Sequence, residues 1–554
     1  MPQSWAQAAD PTPIESKYAS LPAATAAQLG AATGPESCTL RGGGCFVYYE
    51  GGRIVWSEAT GAHVLVGAAF RDSWYTAFDV QYAGYPVTDT FCGLRDGGCG
   101  LHTENGSLYQ TAGATPLFVP GDYRDVWART GWENGPLGYP AGGAACQPVY
   151  QSGWCGQTFE HGVVLRTDTG VHPVWGAAYD LWKAHGFQNG GLGWPTSRTF
   201  CGLRDGGCGT HFEGGSVYTS PASGTHVLAP DVVDAWGATG WESGPLGYPV
   251  GEEVCELVDD GCLQRFQRGN VYVSPTGAFA VSGAILDRWG AHGWENGSLG
   301  YPTSAPFCGL RDGGCGQHFE GGSIYWSRAT GAHAVGSELW NSYAAAGWER
   351  GALGYPTGAM FCGLRDHGCG QHFQGGSIYR ASYHPRGTGY IVSGNIRNRW
   401  AAGGWENGQL GMPMGNAFCG LRDGACGQHF HGGSVYATRA GTFAVLGSVK
   451  TAWGEQGWEH GVLGFPTSDG FCGLRDGGCG QHFQGGSLYA AGPVTGFRPA
   501  PAYVVSGAFR TAWAARGWEN GSLGYPVGNV HQTPGGPLQW FQRGSLQLRN
   551  GRVY

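Results

Sequence analysis

A chain of 554 residues is too long for one ordinary core, and its 13% aromatic content, including 23 Trp, is too high for a disordered polymer despite 105 glycines. The net charge of −8, with only three lysines (Lys17, Lys183 and Lys450), leaves no visible basic patch. This argues against a nucleic-acid partner and fits a neutral one better. No run approaches about 18 apolar residues, which argues against a helical membrane span.

The chain opens with Ala6-Gln7-Ala8, the A-x-A form of a signal-peptidase site, followed by Asp10-Pro11-Thr12-Pro13 in the manner of a mature start. The cysteines also point to export. All 18 fall into nine close pairs. Eight pairs have six residues between them: Cys38 with Cys45, Cys92 with Cys99, Cys201 with Cys208, Cys255 with Cys262, Cys308 with Cys315, Cys362 with Cys369, Cys419 with Cys426, and Cys472 with Cys479. In the ninth, Cys146 with Cys155, eight residues intervene. A pair per repeat and never a lone Cys reads as a disulfide framework formed in an oxidising compartment. Zinc sites usually want two or four residues between ligands and four ligands in all, so no metal is expected.

A segment of ~54 residues recurs ten times. Its clearest marker is Leu-Gly-aromatic-Pro, as in Leu137-Gly138-Tyr139-Pro140 and Leu299-Gly300-Tyr301-Pro302; Met412 replaces the aromatic once and Ala83 the leucine once. Units begin near residues 1, 67, 120, 175, 230, 283, 337, 393, 447 and 506. In the sixth, Ile285 and Trp289 are four apart, which predicts one or two turns of helix stopped by Gly293. Trp294-Glu295-Asn296-Gly297 then predicts a turn. Phe307 to Cys315 predicts a hairpin about Asp312-Gly313, its arms tied by cysteine. Gln317 to Glu320, Gly321-Gly322 and Ser323 to Trp326 read as strand, turn and strand. The expected architecture is therefore a mainly β repeat protein of ten units, each a short helix plus a small β-meander. No unit can bury its apolar face without its neighbours.

The succession W-x4-W-E-N-G-x-L-G-Y-P, F-E-G-G-S-I-Y and G-A-x-x-V-x-G resembles the LGFP repeat of secreted and cell-envelope actinobacterial proteins. The resemblance covers nearly the whole chain. It implies two closed, propeller-like rings of five units, over residues 1–282 (repeats 1–5) and 283–554 (repeats 6–10). One open array of ten is the alternative. It also implies a secreted or cell-wall-associated protein that anchors to cell-wall polysaccharide. The chain departs from the family pattern in showing no attached catalytic domain, and in tying its Phe-Cys-Gly-Leu-Arg-Asp hairpins with cysteine.

Because the units share one chain, their residues can be compared internally. The Trp289 series (Trp127, Trp182, Trp236, Trp400, Trp453, Trp513) is expected in the core. The carbohydrate-binding candidates are the trios Trp132-Glu133-Asn134, Trp294-Glu295-Asn296, Trp405-Glu406-Asn407 and Trp518-Glu519-Asn520. The pairs Trp241-Glu242, Trp348-Glu349 and Trp458-Glu459 join them. A flat ring beside an acceptor and an amide suits the C–H faces and hydroxyls of a sugar; alternatively Glu and Asn satisfy backbone groups of the turn. Arg311 and its equivalents (Arg95, Arg204, Arg365, Arg422, Arg475) either pair with a neighbouring unit or meet a ligand. His318 and its equivalents (His102, His211, His372, His429, His482) alternate with core-facing residues and should face outward. The longer segments around Tyr383-His384-Pro385-Arg386 and from Pro493 to Pro501 read as extended loops. No Walker loop, G-x-S-x-G or H-E-x-x-H is present, so no enzyme and no cofactor is expected. Two functions remain: a non-catalytic protein binding cell-wall or extracellular polysaccharide through multiple equivalent sites, or a structural or assembly subunit of an envelope layer, filament or extracellular complex. The second would self-associate or bind another envelope protein.

Overall fold

A computed structural model describes residues 10–79, 83–146, 155–385, 387–496 and 498–554. The Ala6-Gln7-Ala8 motif and Arg386 lie outside them. The chain divides into two compact units, residues 1–280 and 281–554. Both are built from the same module, and no helix is long and apolar enough to cross a membrane.

The module over residues 394–446 is representative. Its helix, Gly394–Ala402, buries Ile396 and Trp400, four positions apart. A helix this short is marginal alone, so its stability comes from that buried face. Gly404, at φ 90°, ends it in the left-handed conformation a Cβ disfavours. A 3-10 turn, Trp405–Asn407, follows. Then come four antiparallel strands in chain order: Phe418–Cys419, Cys426–Phe430, Gly433–Thr438 and Gly441–Leu446. Ten such sheets occur among the described residues; the first and last have three strands and the others four. None closes on itself. The helix-plus-meander unit is therefore present throughout. The first module differs in having two short helices, Pro13–Ala19 and Ala23–Leu29.

The cores lie between modules, as the repeat logic requires. Tyr379 and Val392 from one module pack with Ile396, Trp400, Leu410, Met412, Phe430 and Val435 of the next. Each core Trp also donates its indole N–H to the glycine carbonyl of the Leu-Gly-aromatic-Pro segment, at 3.0–3.1 Å from Trp127, Trp400 and Trp453. The proline carries that segment onto the sheet, bridging Phe430 from Pro413 and Phe483 from Pro466. A fully buried glutamine staples adjacent modules. Gln428 Nε2 donates to Ile391 O at 2.8 Å and to Gly415 O at 2.9 Å, and Gln481 repeats this with Ala444 and Ser468.

The cysteine framework forms as the spacing predicts. Cys38 is bonded to Cys45, Cys92 to Cys99, Cys201 to Cys208 and Cys255 to Cys262. Cys308 is bonded to Cys315, Cys362 to Cys369, Cys419 to Cys426 and Cys472 to Cys479. In these eight disulfides the Cα atoms are 3.9–4.1 Å apart. Seven of the eight join residues directly opposed across two strands, as Cys99 opposes Cys92, Cys208 opposes Cys201, Cys369 opposes Cys362 and Cys479 opposes Cys472. Cys155 is also disulfide-bonded, while the Cys146 side chain lies outside the described residues. Most of these hairpins turn at Asp-Gly with both residues left-handed, φ 55° and 72° at Asp312 and Gly313. That is the conformation Asp-Gly tolerates best.

Candidate functional site

Within each unit, the surface features that recur from module to module gather where one module meets the next. The Trp-Glu-Asn turn supplies the first part. Trp132, Trp241, Trp294, Trp348, Trp405, Trp458 and Trp518 all have φ between 51° and 56°. A bulky residue held left-handed costs of order 1–3 kcal/mol and persists only when its surroundings over-determine it. Here up to three contacts do so.

The ring lies edge-on against the core Trp of the preceding helix, with centroids 5.2–5.5 Å apart. Trp348 meets Tyr343 in the same way at 5.5 Å. The glutamate side chain then turns inward: Glu133, Glu349, Glu406, Glu459 and Glu519 are only 4–7% exposed. Glu242 and Glu295 are half-buried. In the four full trios the asparagine amide donates to this carboxylate, at 2.7 Å from Asn134 and 2.8, 2.9 and 3.0 Å from Asn296, Asn407 and Asn520.

The third contact comes from the preceding module. Arg311 Nη1 donates to the Glu349 carbonyl at 3.4 Å, Arg365 to that of Glu406 at 3.4 Å and Arg475 to that of Glu519 at 3.2 Å. Arg95 and Arg422 make the same bond to Glu133 and Glu459. Arg204 instead offers its backbone N–H to the Glu242 carboxylate at 3.5 Å. The arginine's own carbonyl accepts the hydroxyl of the next module's tyrosine at 2.6 Å, from Tyr139, Tyr248, Tyr355 and Tyr525. Burial pushes each of those phenols up to about 12, so each stays a donor at neutral pH. The Arg-Asp hairpin is thus a latch on the neighbouring unit.

Of the predicted trio, then, tryptophan is what the surface offers. Trp241, Trp294 and Trp458 are 39% exposed, while Trp132, Trp348, Trp405 and Trp518 are more covered. Two causes are visible. Each open ring lies against a helix glycine: a Cβ on Gly237, Gly290 or Gly454 would come within 2.6–2.7 Å of the Trp Cζ2. Three of the four covered rings are partly overlaid by the residue three before the core aromatic. Arg397 lies 5.4 Å from the Trp405 centroid, Arg510 5.7 Å from that of Trp518, and Trp340 5.0 Å from that of Trp348. Sequence reasoning did not identify this helix position, because one copy shows only an unremarkable residue on a helix.

The recurring histidine completes the junction. His318 Nδ1 lies 2.7 Å from Ser323 Oγ, and its ring packs 4.8 Å from Phe307. The same Ser contact holds at His102, His211, His372, His429 and His482. Burial lowers the pKa of these imidazoles, which keeps them neutral at pH 7. They face outward from the Phe319 side as expected, but into the junction rather than freely into solvent. Among the described residues two clusters have metal-like spacing, Glu36 with Cys38 and Cys45, and Glu253 with Cys255 and Cys262; their cysteines are disulfide-bonded and so cannot serve as thiolate ligands.

Comparison with solved structures shows only distant likeness. The extracellular domain of the putative one-component system BT4673 from B. thetaiotaomicron is 8% identical with a TM-score of 0.11, over 93% of this chain. The chain spans 64% of that protein's length. PorZ, a surface component of the type-IX secretion system of Porphyromonas gingivalis, is 9% identical with a TM-score of 0.12, over 91% of this chain and 67% of its own. No curated protein matches. The family model of the LGFP repeat matches nine consecutive segments, at residues 29–77, 84–135, 137–190, 192–244, 246–297, 299–351, 353–408, 410–461 and 463–521, and the chain belongs to the LGFP-repeat family.

Proposed function

We propose that this protein is a non-catalytic, extracellular polysaccharide-binding array, in which module junctions act as several equivalent, individually weak sites. The observation carrying this reading is the tryptophan held left-handed and part-exposed at one junction after another. A costly conformation repeated along the chain, with a flat ring at the surface as its product, suits the C–H face of a sugar. Trp241, Trp294 and Trp458, the most open rings, are the primary platforms. Several such sites would bind a polymer by avidity. The disulfides support an extracellular location, and cell-wall polysaccharide is the proposed partner. Closure of five modules into a ring belongs to the same proposal; small-angle scattering would show two compact bodies for rings and an extended rod for one open array.

The test is retention on insoluble cell-wall polysaccharide beside the W241A/W294A/W458A variant. The expected result is retention of the wild type and a loss of about tenfold or more in the variant, with circular dichroism unchanged. A wild type that passes through every wall fraction overturns the reading. That outcome would favour the second one, an assembly subunit, which rests on the arginine latch: rigidly joined, disulfide-tied modules also suit a spacer that self-associates or binds another envelope protein.

A further inference from the structure

The helix position three before the core aromatic varies while the rest of the junction is constant. It holds Arg71, Arg124, Tyr179, Val233, Leu286, Trp340, Arg397, Lys450 and Arg510 in chain order. A variable residue beside a fixed framework is where selectivity between ligands is set. The last three are consecutive cations, and they differ from the two in the N-terminal unit in one respect. Arg71 and Arg124 are each followed by an aspartate that pairs with them, Asp72 at 2.7 Å and Asp125 at 3.0 Å. Arg397, Lys450 and Arg510 are followed by Asn398, Thr451 and Thr511. No ion pair is present at any of the three among the described residues. Arg397 Nε donates to the neutral hydroxyl of Ser377 at 3.0 Å, which leaves its charge uncompensated.

Further observations concern two of these junctions. Arg510 Nε is buried without a hydrogen-bond partner. Lys450 lines a groove of about 670 Å³ together with His431, Ser448, Tyr503, Asn529 and one carboxylate, Glu455, with which it forms no ion pair; Ser448 Oγ is also buried there without a partner. Pro499 and Pro501 also line this groove, and the Val494 carbonyl accepts the Ser448 N–H at 2.8 Å. Burial lowers the pKa of Lys450, an ammonium partly stripped of water and lacking an ion pair. The charge of the two units diverges in the same sense. Residues 281–554 carry 19 Lys and Arg against 14 Asp and Glu, and residues 1–280 carry 13 against 26.

We propose that the junctions holding Arg397, Lys450 and Arg510 form a row of anion-binding subsites, selecting a polysaccharide that bears carboxylate or phosphate groups. Arg397 and Arg510 stand over the tryptophan of their junctions, and Lys450 holds the same helix position ahead of Trp458. At the Lys450 junction one sugar residue would thus meet the open Trp458 face and a cation together, while at the other two the arginine on the ring supplies the contact. Junctions with Val233 or Trp340 lack the cation and take neutral sugar. This rests on the polysaccharide reading above, and the experiment separates the two.

Affinity electrophoresis would compare polygalacturonate, its methyl-esterified neutral form, and inorganic polyphosphate. Three proteins are run: the wild type, R397Q/K450Q/R510Q, and N398D/T451D/T511D, which installs the neighbouring acid of the N-terminal unit without removing a cation. The wild type is expected to bind polygalacturonate about tenfold or more tightly than the ester, and both variants to lose that preference. Equal binding of acid and ester, or a preference the two variants retain, overturns the inference. If W241A/W294A/W458A abolishes ester binding while the Gln variant keeps it, the polysaccharide reading survives that failure. Binding of polyphosphate but of neither sugar polymer, lost in the Gln variant, supports the anion sites and overturns the polysaccharide reading.

Discussion

Asp89 shows how single side chains hold the repeat together. It follows the Tyr85-Pro86 turn and reaches back to the preceding sheet, accepting the Val64 N–H at 3.0 Å and the Lys17 ammonium at 2.7 Å. Burial works against its ionisation, yet hydrogen bonds from His63, Lys17 and Val64 bring the carboxyl down to about 2. An unfolded aspartate titrates near ~3.9. The native state therefore favours the ionised form, and this stabilisation is complete above the unfolded value and lost as pH falls toward 2. D89N is expected to lower the melting temperature at pH 7, with the gap to wild type narrowing below about pH 4 and closing as pH falls through about 2. A gap independent of pH would mean that the carboxylate charge is irrelevant. Asp469 repeats the geometry, accepting Arg399 at 2.7 Å and the Ala444 N–H at 3.0 Å. Asn416 and Asn529 repeat only the backbone contact, to Ile391 and Val504 at 2.8 Å.

Among the elements, the helix and the turn after it decide what each junction exposes. The helix carries the core Trp, and the residue after that Trp sets how far the surface ring can settle. Where it is Gly454, the Trp458 ring lies directly over the helix backbone. G454A puts a methyl group into that contact. Overpacking of this kind costs about 1–3 kcal/mol, or the ring is displaced. The expected outcome is a change in Trp458 quenching by acrylamide together with a lower melting temperature. Unchanged quenching and stability would show that the glycine is incidental. The helix, turn, hairpin and paired strands were all legible in the sequence, because apolar spacing, Asp-Gly and Gly-Gly are local signals. The inward rotation of the glutamate was not. Glu133 and Glu519 are buried because the Asn amide holds the carboxylate and an arginine from another module holds the carbonyl. Neither partner can be inferred from the turn alone.

Across the molecule, stability is divided among many neighbouring interfaces, each with its own small core, latch and disulfide. A disulfide closing so short a loop contributes on the order of 2–3 kcal/mol. Reduction should accordingly lower the thermal midpoint by roughly 15–25 °C while the modules stay folded at room temperature, because the core between modules does not depend on the bridge. Loss of ellipticity on reduction at room temperature would refute this and make the disulfides essential. Unfolding should also be broad, since a succession of nearest-neighbour interfaces melts in parts.

The sequence by itself determined the number of modules, the elements within each, the cysteine pairing and the family, since all of these depend on residues close together in the chain. Tertiary structure decided which side of the Trp-Glu-Asn turn faces solvent, that the arginine serves the next module, and that helix residues from separate modules belong to one series of cations. Arg397, Lys450 and Arg510 form no basic run, and a search for a charged patch along the chain passes over them. They become comparable only when each helix is laid on the sheet before it, because the surface they share is assembled between modules rather than within one.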